Sequence, residues 1–407
     1  MNNLRHIALW LAGMLVAMTL RADILSDFTE TKAVNAPTSA VLITDLKSGR
    51  ELIAYNDETP LVPASIMKCV TTASLLEKTG QNYKYKTRVF VTGKVNDGLL
   101  DGDIVVVGSA DPTVNTEYEP GSENIVTEIV DALKRLRINA VQGRIVVDES
   151  AWPGPSIPPT WQPGDLPHSY GTGTHGFNFE DNAVGRKSVA NPAAQFRARL
   201  AAALRAAGIA LNGAEIPADA RRTPLGVHLS APVDEIMRSC MMRSDNQFAE
   251  AMLRTLAHES GRPGTTVEGA KTETDFWSRR GADMEGVRIV DGSGLSRSNR
   301  VTARFMTDVL CKMSSNPYYA SFFPLAGQEG TLKKFLVGTP LEGYIAMKTG
   351  SMKGIQCYAG YKLDENYTPT HSVVVIMNEM GDRAQARKAV EQMLLKTFEP
   401  EYNPEKK

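Results

Sequence analysis

Cysteine is scarce in this chain of 407 residues. Four cysteines (Cys69, Cys240, Cys311 and Cys357) are too few for a disulfide framework, and their spacing is not that of a metal site. Buried free thiols are the expectation, with one structural pair as the alternative. The six histidines are scattered, with no His-Glu-x-x-His and no pair at helical ligand spacing, so neither a zinc site nor any other cofactor is implied. There is no excess of either charge. A formal net charge of −1 excludes the basic bias of a nucleic-acid binder. The chain also lacks repeats, heptads and low-complexity tracts. Its long apolar run is confined to Ile7–Leu20, behind Arg5 and His6, and is short for a membrane span of about 20 residues. That pattern fits a secretory signal, hence export to the periplasm. Leu20-Arg21-Ala22 is an imperfect cleavage site, which leaves an uncleaved N-terminal membrane anchor open.

What is present suggests a mixed fold of several domains. Ala40–Leu46 and Glu51–Tyr55 read as strands of a hairpin, and Ser65–Lys78 as a helix closed by Gly80. Strands are expected at 87–92, 103–107 and 143–148, with a helix at about 124–137. Residues 150–192, rich in Pro, Gly and aromatics, read as an irregular surface or linker segment. Helices follow at 193–207, at about 233–258 as one stretch, and at 302–313. The C-terminal third supplies strands at 344–349, 355–362 and 371–378 and a helix at 383–398. Strands at both ends and helices between them imply one sheet assembled from distant parts, with something inserted.

Three short motifs carry chemistry. Ser65-Ile-Met-Lys68 places an amine one helical turn from a hydroxyl, so a lysine of lowered pKa can serve as base to a serine nucleophile. Ser244-Asp245-Asn246 offers a hydroxyl for proton relay and an amide for positioning; its bland reading is an Asx helix cap. Lys348-Thr349-Gly350 ends a strand whose edge can pair with an extended peptide, the cation and hydroxyl meeting a carboxylate. A second Lys-Thr-Gly, at 78–80, ends a helix and reads as a C-cap. Asp291-Gly-Ser-Gly294 reads as a tight loop. There is no Gly-x-Ser-x-Gly elbow, which argues against an α/β-hydrolase.

The three motifs in this order are the active-site set of penicillin-binding proteins and class A β-lactamases. With Gly102–Thr113, Val147–Ser150, Asp291–Arg297 and Leu325–Leu332, the chain resembles the D-alanyl-D-alanine carboxypeptidase/endopeptidase family of class C low-molecular-mass penicillin-binding proteins (penicillin-binding protein 4 type). The resemblance implies an α+β multidomain fold: a β-lactamase/transpeptidase-like catalytic domain, an antiparallel sheet flanked by helices, split by smaller inserted domains. The expected division is signal or anchor 1–22, catalytic domain 23–80 and 232–400, insertion 81–231, and tail 401–407. Residues 171–192 are abbreviated relative to the family.

By the same resemblance Ser65 is the nucleophile, Lys68 its base, Ser244 a proton relay and Asn246 a positioning group. Lys348 and Thr349 hold the substrate carboxylate, Gly350 admits its backbone, and the N–H groups of Ser65 and Ser351 form the oxyanion hole. Asp148 matches an acidic position that faces a diamino acid in some members; the alternative is a polar strand end. The implied partners are peptidoglycan stem peptides, with β-lactam antibiotics as acylating inhibitors. A β-lactamase-like hydrolase and a non-catalytic peptidoglycan-binding protein with a vestigial site are the rival readings.

Overall fold

The computed structural model describes residues 23–116, 124–217 and 221–399. The apolar run at 7–20 lies outside them; among the described residues no helix is long and apolar enough to cross a membrane.

Residues from both ends of the chain build one five-stranded antiparallel sheet, in the order Ile345–Met352, Ile355–Leu363, Pro369–Met377, Ser39–Asp45, Glu51–Tyr55. Its strands are apolar on both faces because both faces are covered. Along Ser39–Asp45, Ala40 and Leu42 face a core containing Met67, Phe248 and Met306. Val41 and Ile43 face a second core with Phe28, Met393 and Leu394. The second layer is closed by the helix Arg383–Phe398, whose N-cap Asp382 accepts from the Gln385 N–H.

The first layer is helical: Met67–Thr79, Val233–Arg243, Asn246–Glu259, Thr266–Arg279 and Ala303–Met313. Two details depart from expectation. The stretch 233–258 is broken into two helices at Ser244, which adopts a left-handed conformation (φ 62°, ψ 42°). Asp245 then caps the second helix through the Phe248 N–H. The helix Thr266–Arg279 was not foreseen: its buried face is built from Gly269, Ala270, Thr272 and Glu273, a poor hydrophobic stripe, and only Trp277 is large.

Between the two parts of the chain that build the five-stranded sheet and its helical layer, the chain leaves along Lys86–Val91 and returns along Thr223–Leu229, which pair antiparallel. Two four-stranded sheets and the helices Ile125–Arg135 and Pro192–Ala206 share one core there, around Leu100, Ile129, Phe177 and Phe196. Tyr85 and Ser230 bond to each other where the chain enters and leaves.

The segment 150–192 corrects the linker reading. It has little regular structure, yet it is bolted to the helix Asn246–Glu259. The Arg254 guanidinium, buried, donates to the carbonyls of Gly264, Thr174, Trp152 and Pro153. Trp161 Nε1 donates to Asp291 at 2.8 Å. Backbone carbonyls satisfy the cation in place of water and tie this irregular chain to the helix. All four cysteines are free, and three are buried.

Candidate active site

Ser65 sits in the 3-10 turn Ala64–Ile66 that leads into the helix Met67–Thr79. The turn is strained: Ala64, buried, has φ 47°, a region that side chains disfavour. Two glycines, one from a distant loop and one from the edge strand, clamp it. A Cβ on Gly294 would lie 1.8 Å from the Ala64 carbonyl oxygen, and one on Gly350 would lie 2.6 Å from the Pro63 oxygen and 3.1 Å from the Ser65 nitrogen. The strand that carries Lys-Thr-Gly therefore touches the nucleophile turn directly, which no side chain larger than hydrogen would permit.

Lys68 Nζ is fully buried and has three neighbours: Ser65 Oγ at 3.0 Å, Asn246 Oδ1 at 2.7 Å and the Ser293 carbonyl oxygen at 2.7 Å. Burial pushes its pKa down, against the opposing pull of the carboxylates of Asp245 and Asp291. The consequence for the neutral amine is geometric. The two carbonyl oxygens can only accept, so they take both N–H hydrogens, and the lone pair is left facing Ser65, the one neighbour able to donate. The Asn246 amide cannot be turned the other way, because its Nδ2 donates to the Tyr170 carbonyl at 2.7 Å. Tyr170 belongs to the irregular segment, so that segment sets the base.

Lys348 is buried as well, its Nζ donating to the Thr349 carbonyl at 2.8 Å. Burial, then the charge of Lys68, brings its pKa down to about 7. Its strand, Ile345–Met352, is the sheet's edge. The Ile345 carbonyl and Met347 N–H bond outward, to Ala326 and Pro324. By the two-residue alternation of a strand, Thr349 and Ser351 also turn their backbone groups outward, past the end of that cover. An open strand edge thus runs beside Ser65. The cleft there holds about 480 Å³ and is walled by Ser65, Ser244, Asn246, Leu295, Arg297, Ser351, Lys353 and, from the irregular segment, Gln162, Asp165 and Tyr170. A larger groove of about 740 Å³ near Arg238, Asn316 and Tyr367 contains neither nucleophile nor base; size alone does not make it the site.

The structure brings together Ser65, Lys68, Ser244, Asn246, Lys348, Thr349, Gly350 and Ser351. Asp148 is not among the cleft-lining residues. Its carboxylate accepts from the Ser150 N–H and from Arg222 at 2.9 Å; hydrogen bonding from Ser150, then from Arg222, holds it below the usual carboxylate range. It stands at the end of the strand Ile145–Asp148. Sequence reasoning missed Tyr170, Gln162, Asp165 and the role of Asp291-Gly-Ser-Gly294. That loop is tight, as expected, but it also delivers the Ser293 carbonyl to Lys68. Asp291 organises it, accepting from Gly294 N–H, Ser296 N–H, Asn299 and Trp161.

Comparison with known proteins agrees with this geometry. The D-Ala-D-Ala carboxypeptidase 3 (S13) family matches residues 20–188 and 184–397, nearly the whole chain. The chain belongs to that family. It is a serine-type D-Ala-D-Ala carboxypeptidase, a hydrolase. A carboxypeptidase of Mycobacterium tuberculosis is 32% identical over 80% of this chain and 73% of its own length. Penicillin-binding protein 4 of Haemophilus influenzae superposes with a TM-score of 0.79 at 22% identity, covering 93% of this chain and 99% of that one; it has also been solved with a β-lactam. A predatory endopeptidase of Bdellovibrio bacteriovorus, acylated by penicillin G and bound to an immunity protein, superposes with a TM-score of 0.55 at 17% identity, over 88% and 90% of the two chains. The likeness to penicillin-binding protein 4 over 93% of this chain shows a shared fold.

Proposed function

We propose that Ser65 attacks the carbonyl of the penultimate D-Ala of peptidoglycan stem peptides and that Lys68 takes its proton. The observation that carries this reading is the environment of Lys68 Nζ: two obligate acceptors and one hydroxyl, in a buried site that favours the neutral amine. The substrate adds as an extra strand to the open edge at Thr349 and Ser351. Its terminal carboxylate meets Lys348 and Thr349, and the N–H groups of Ser65 and Ser351 receive the developing oxyanion, which is worth about 3 kcal/mol of barrier per donor. Ser244, on its left-handed corner, faces the cleft and passes the proton to the departing amine. Release of the D-amino acid leaves an ester on Ser65, and water hydrolyses it.

β-Lactams present a carbonyl and a carboxylate in the same relation and acylate the same serine, leaving an ester that water reaches slowly. Among the residues lining the cleft there is no glutamate to activate a deacylating water; the carboxylate there, Asp165, accepts from the Tyr170 hydroxyl. That favours a slow-hydrolysing penicillin target over a β-lactamase. The apolar run at 7–20 supports work in the periplasm, and fractionation of cells carrying the full chain tests that placement: recovery in the cytoplasm refutes it.

Intact mass after exposure to benzylpenicillin tests the mechanism. The expected result is one stable adduct on the wild type and none on Ser65→Ala. An adduct that persists in Ser65→Ala refutes the nucleophile. No adduct with rapid consumption of the drug means a β-lactamase, and no adduct with intact drug means a silent site.

A further inference from the structure

Beneath the catalytic lysine lies a carboxyl that the mechanism above does not use. Glu250 is one helical turn below Asn246 on the helix Asn246–Glu259 and is fully buried. Its Oε1 accepts from two successive backbone N–H groups, Gly292 at 3.0 Å and Ser293 at 2.8 Å. The Gly292 carbonyl is held from the opposite side by Thr71 Oγ1 at 2.9 Å, and the next carbonyl, that of Ser293, is an acceptor of Lys68. Thr71 and Lys68 are three residues apart on the nucleophile helix. The peptide units of Gly292 and Ser293 are therefore gripped between two helices, and the grip ends on the lysine that faces Ser65. Gly292 leaves no slack: a Cβ there would stand 2.9 Å from the Ala249 oxygen.

We propose that Glu250 is a positioning residue for catalysis: by holding the Gly292 and Ser293 N–H groups it fixes the Ser293 carbonyl on Lys68 and so aims the lysine's lone pair at Ser65. The proposal rests on Lys68 being the base. Its logic is that an amine with two hydrogens is oriented only if both have fixed acceptors. Asn246 supplies one; without a fixed Ser293 carbonyl the amine rotates about its Cε–Nζ bond and presents a hydrogen to the serine in place of the lone pair.

The carboxyl performs this as the neutral acid. Burial, then the neighbouring charge of Asp291, pushes it up to about 8. The titratable or charged groups around it are Asp291 on the loop, Lys68 on the nucleophile helix, Arg254 on its own helix and Glu273 on the helix Thr266–Arg279, itself pushed up to about 8 by burial. In the acid, Oε1 is the carbonyl oxygen that accepts both N–H groups, and Oε2, which has no partner among the described residues, carries the proton. A glutamine reproduces this pattern, its amide nitrogen standing where the hydroxyl was. An ionised glutamate it does not reproduce.

The test is the acylation of the full chain by benzylpenicillin, with the pre-covalent dissociation constant and the limiting acylation rate resolved by stopped flow. Glu250→Gln is expected within threefold of wild type in both. Glu250→Ala is expected to lose about 100-fold in the limiting rate, the scale of a misplaced catalytic group, with the dissociation constant unchanged. Thr71→Val, a near-isosteric change that removes the other half of the grip, is expected to lose about tenfold in the same rate and keeps the proposal testable if the alanine variant does not fold. A wild-type rate in Glu250→Ala or Thr71→Val overturns the proposal. So does a glutamine variant as slow as alanine, since charge and not the carbonyl grip would then be what matters. Loss of binding and rate together marks a merely structural role. Failure of the wild type itself to acylate at Ser65 would instead refute the mechanism above, so the two failures are distinguishable.

Discussion

Lys78-Thr79-Gly80 and Lys348-Thr349-Gly350 are the same three residues in opposite surroundings. At the first, the lysine is exposed near the last carbonyls of a helix, the threonine hydroxyl bonds back to Leu75, and Gly80 takes φ 73° with nothing within 4 Å of where a Cβ would be. At the second, the lysine is fully buried beside another lysine, and the glycine lies against the nucleophile turn. The first glycine is needed for its backbone angle, the second for the space it leaves. What makes the second copy chemical is the element it lies on: an edge strand presents its backbone and its neighbours to a ligand, whereas a helix C-terminus presents only carbonyls to solvent.

The largest expected difference between the copies lies in the lysines. Lys348→Ala removes the cation that meets the substrate carboxylate in a desolvated site, and kcat/KM for a D-Ala-D-Ala peptide should fall roughly 10²–10³-fold. A fall under tenfold would break the contrast with Lys78. The acid–base behaviour sharpens it. Lys348 has its pKa brought down to about 7, so in the free enzyme it is charged below that pH and neutral above it. Lys68, also lowered, must be neutral to act as base. Activity should therefore rise with pH as Lys68 loses its proton and fall as Lys348 loses its own. The two limbs belong to the coupled pair more than to either residue. A pH profile of kcat/KM that keeps its falling limb unmoved in Lys348→Arg, where the cation no longer titrates in this range, would show that Lys348 is not its source.

Next in size is Gly350→Ala. The new Cβ would meet backbone, at 2.6 Å from the Pro63 oxygen, so the strand or the Ser65 turn must shift. We expect about a 100-fold loss of acylation rate, read by the same penicillin assay, with a smaller loss of thermal stability. Unchanged acylation would mean that the strand and the turn are not rigidly coupled.

How far the sequence revealed this site follows the same line between local and distant. The edge strand, the nucleophile helix and the halves of the central sheet were legible because alternation and helix signals are local. The motifs were legible because each is three or four residues long. Tyr170 was not, since its contribution is a backbone carbonyl, and any residue has one. Ser293 was hidden for the same reason: the loop's glycines announced a tight turn, but nothing local says that the turn points a carbonyl at Lys68. Residues 150–192 looked like a linker because Pro and Gly mark irregular chain; the anchor that makes them a wall is Arg254, more than sixty residues further on. Asp148 is the converse case, an acidic side chain in a suggestive motif that the structure pairs with Arg222 on a different segment.

The smallest effects belong to the helix-ending copy. Gly80→Ala forces a side chain into a backbone conformation that only glycine adopts readily (φ 73°, ψ 166°) and should cost about 1–3 kcal/mol of stability. Because its Cβ would meet nothing, no strain reaches the active site at the helix's other end through packing, and acylation should stay within twofold of wild type. Lys78→Ala should shift stability by under about 0.5 kcal/mol, since an exposed cation at a helix end is screened by water and salt. Thermal unfolding and the penicillin assay together decide the matter. If Gly80→Ala slowed acylation as much as Gly350→Ala, the C-terminus of the nucleophile helix would have to move with its N-terminus. The helix, not the edge strand, would then be the element that sets Ser65.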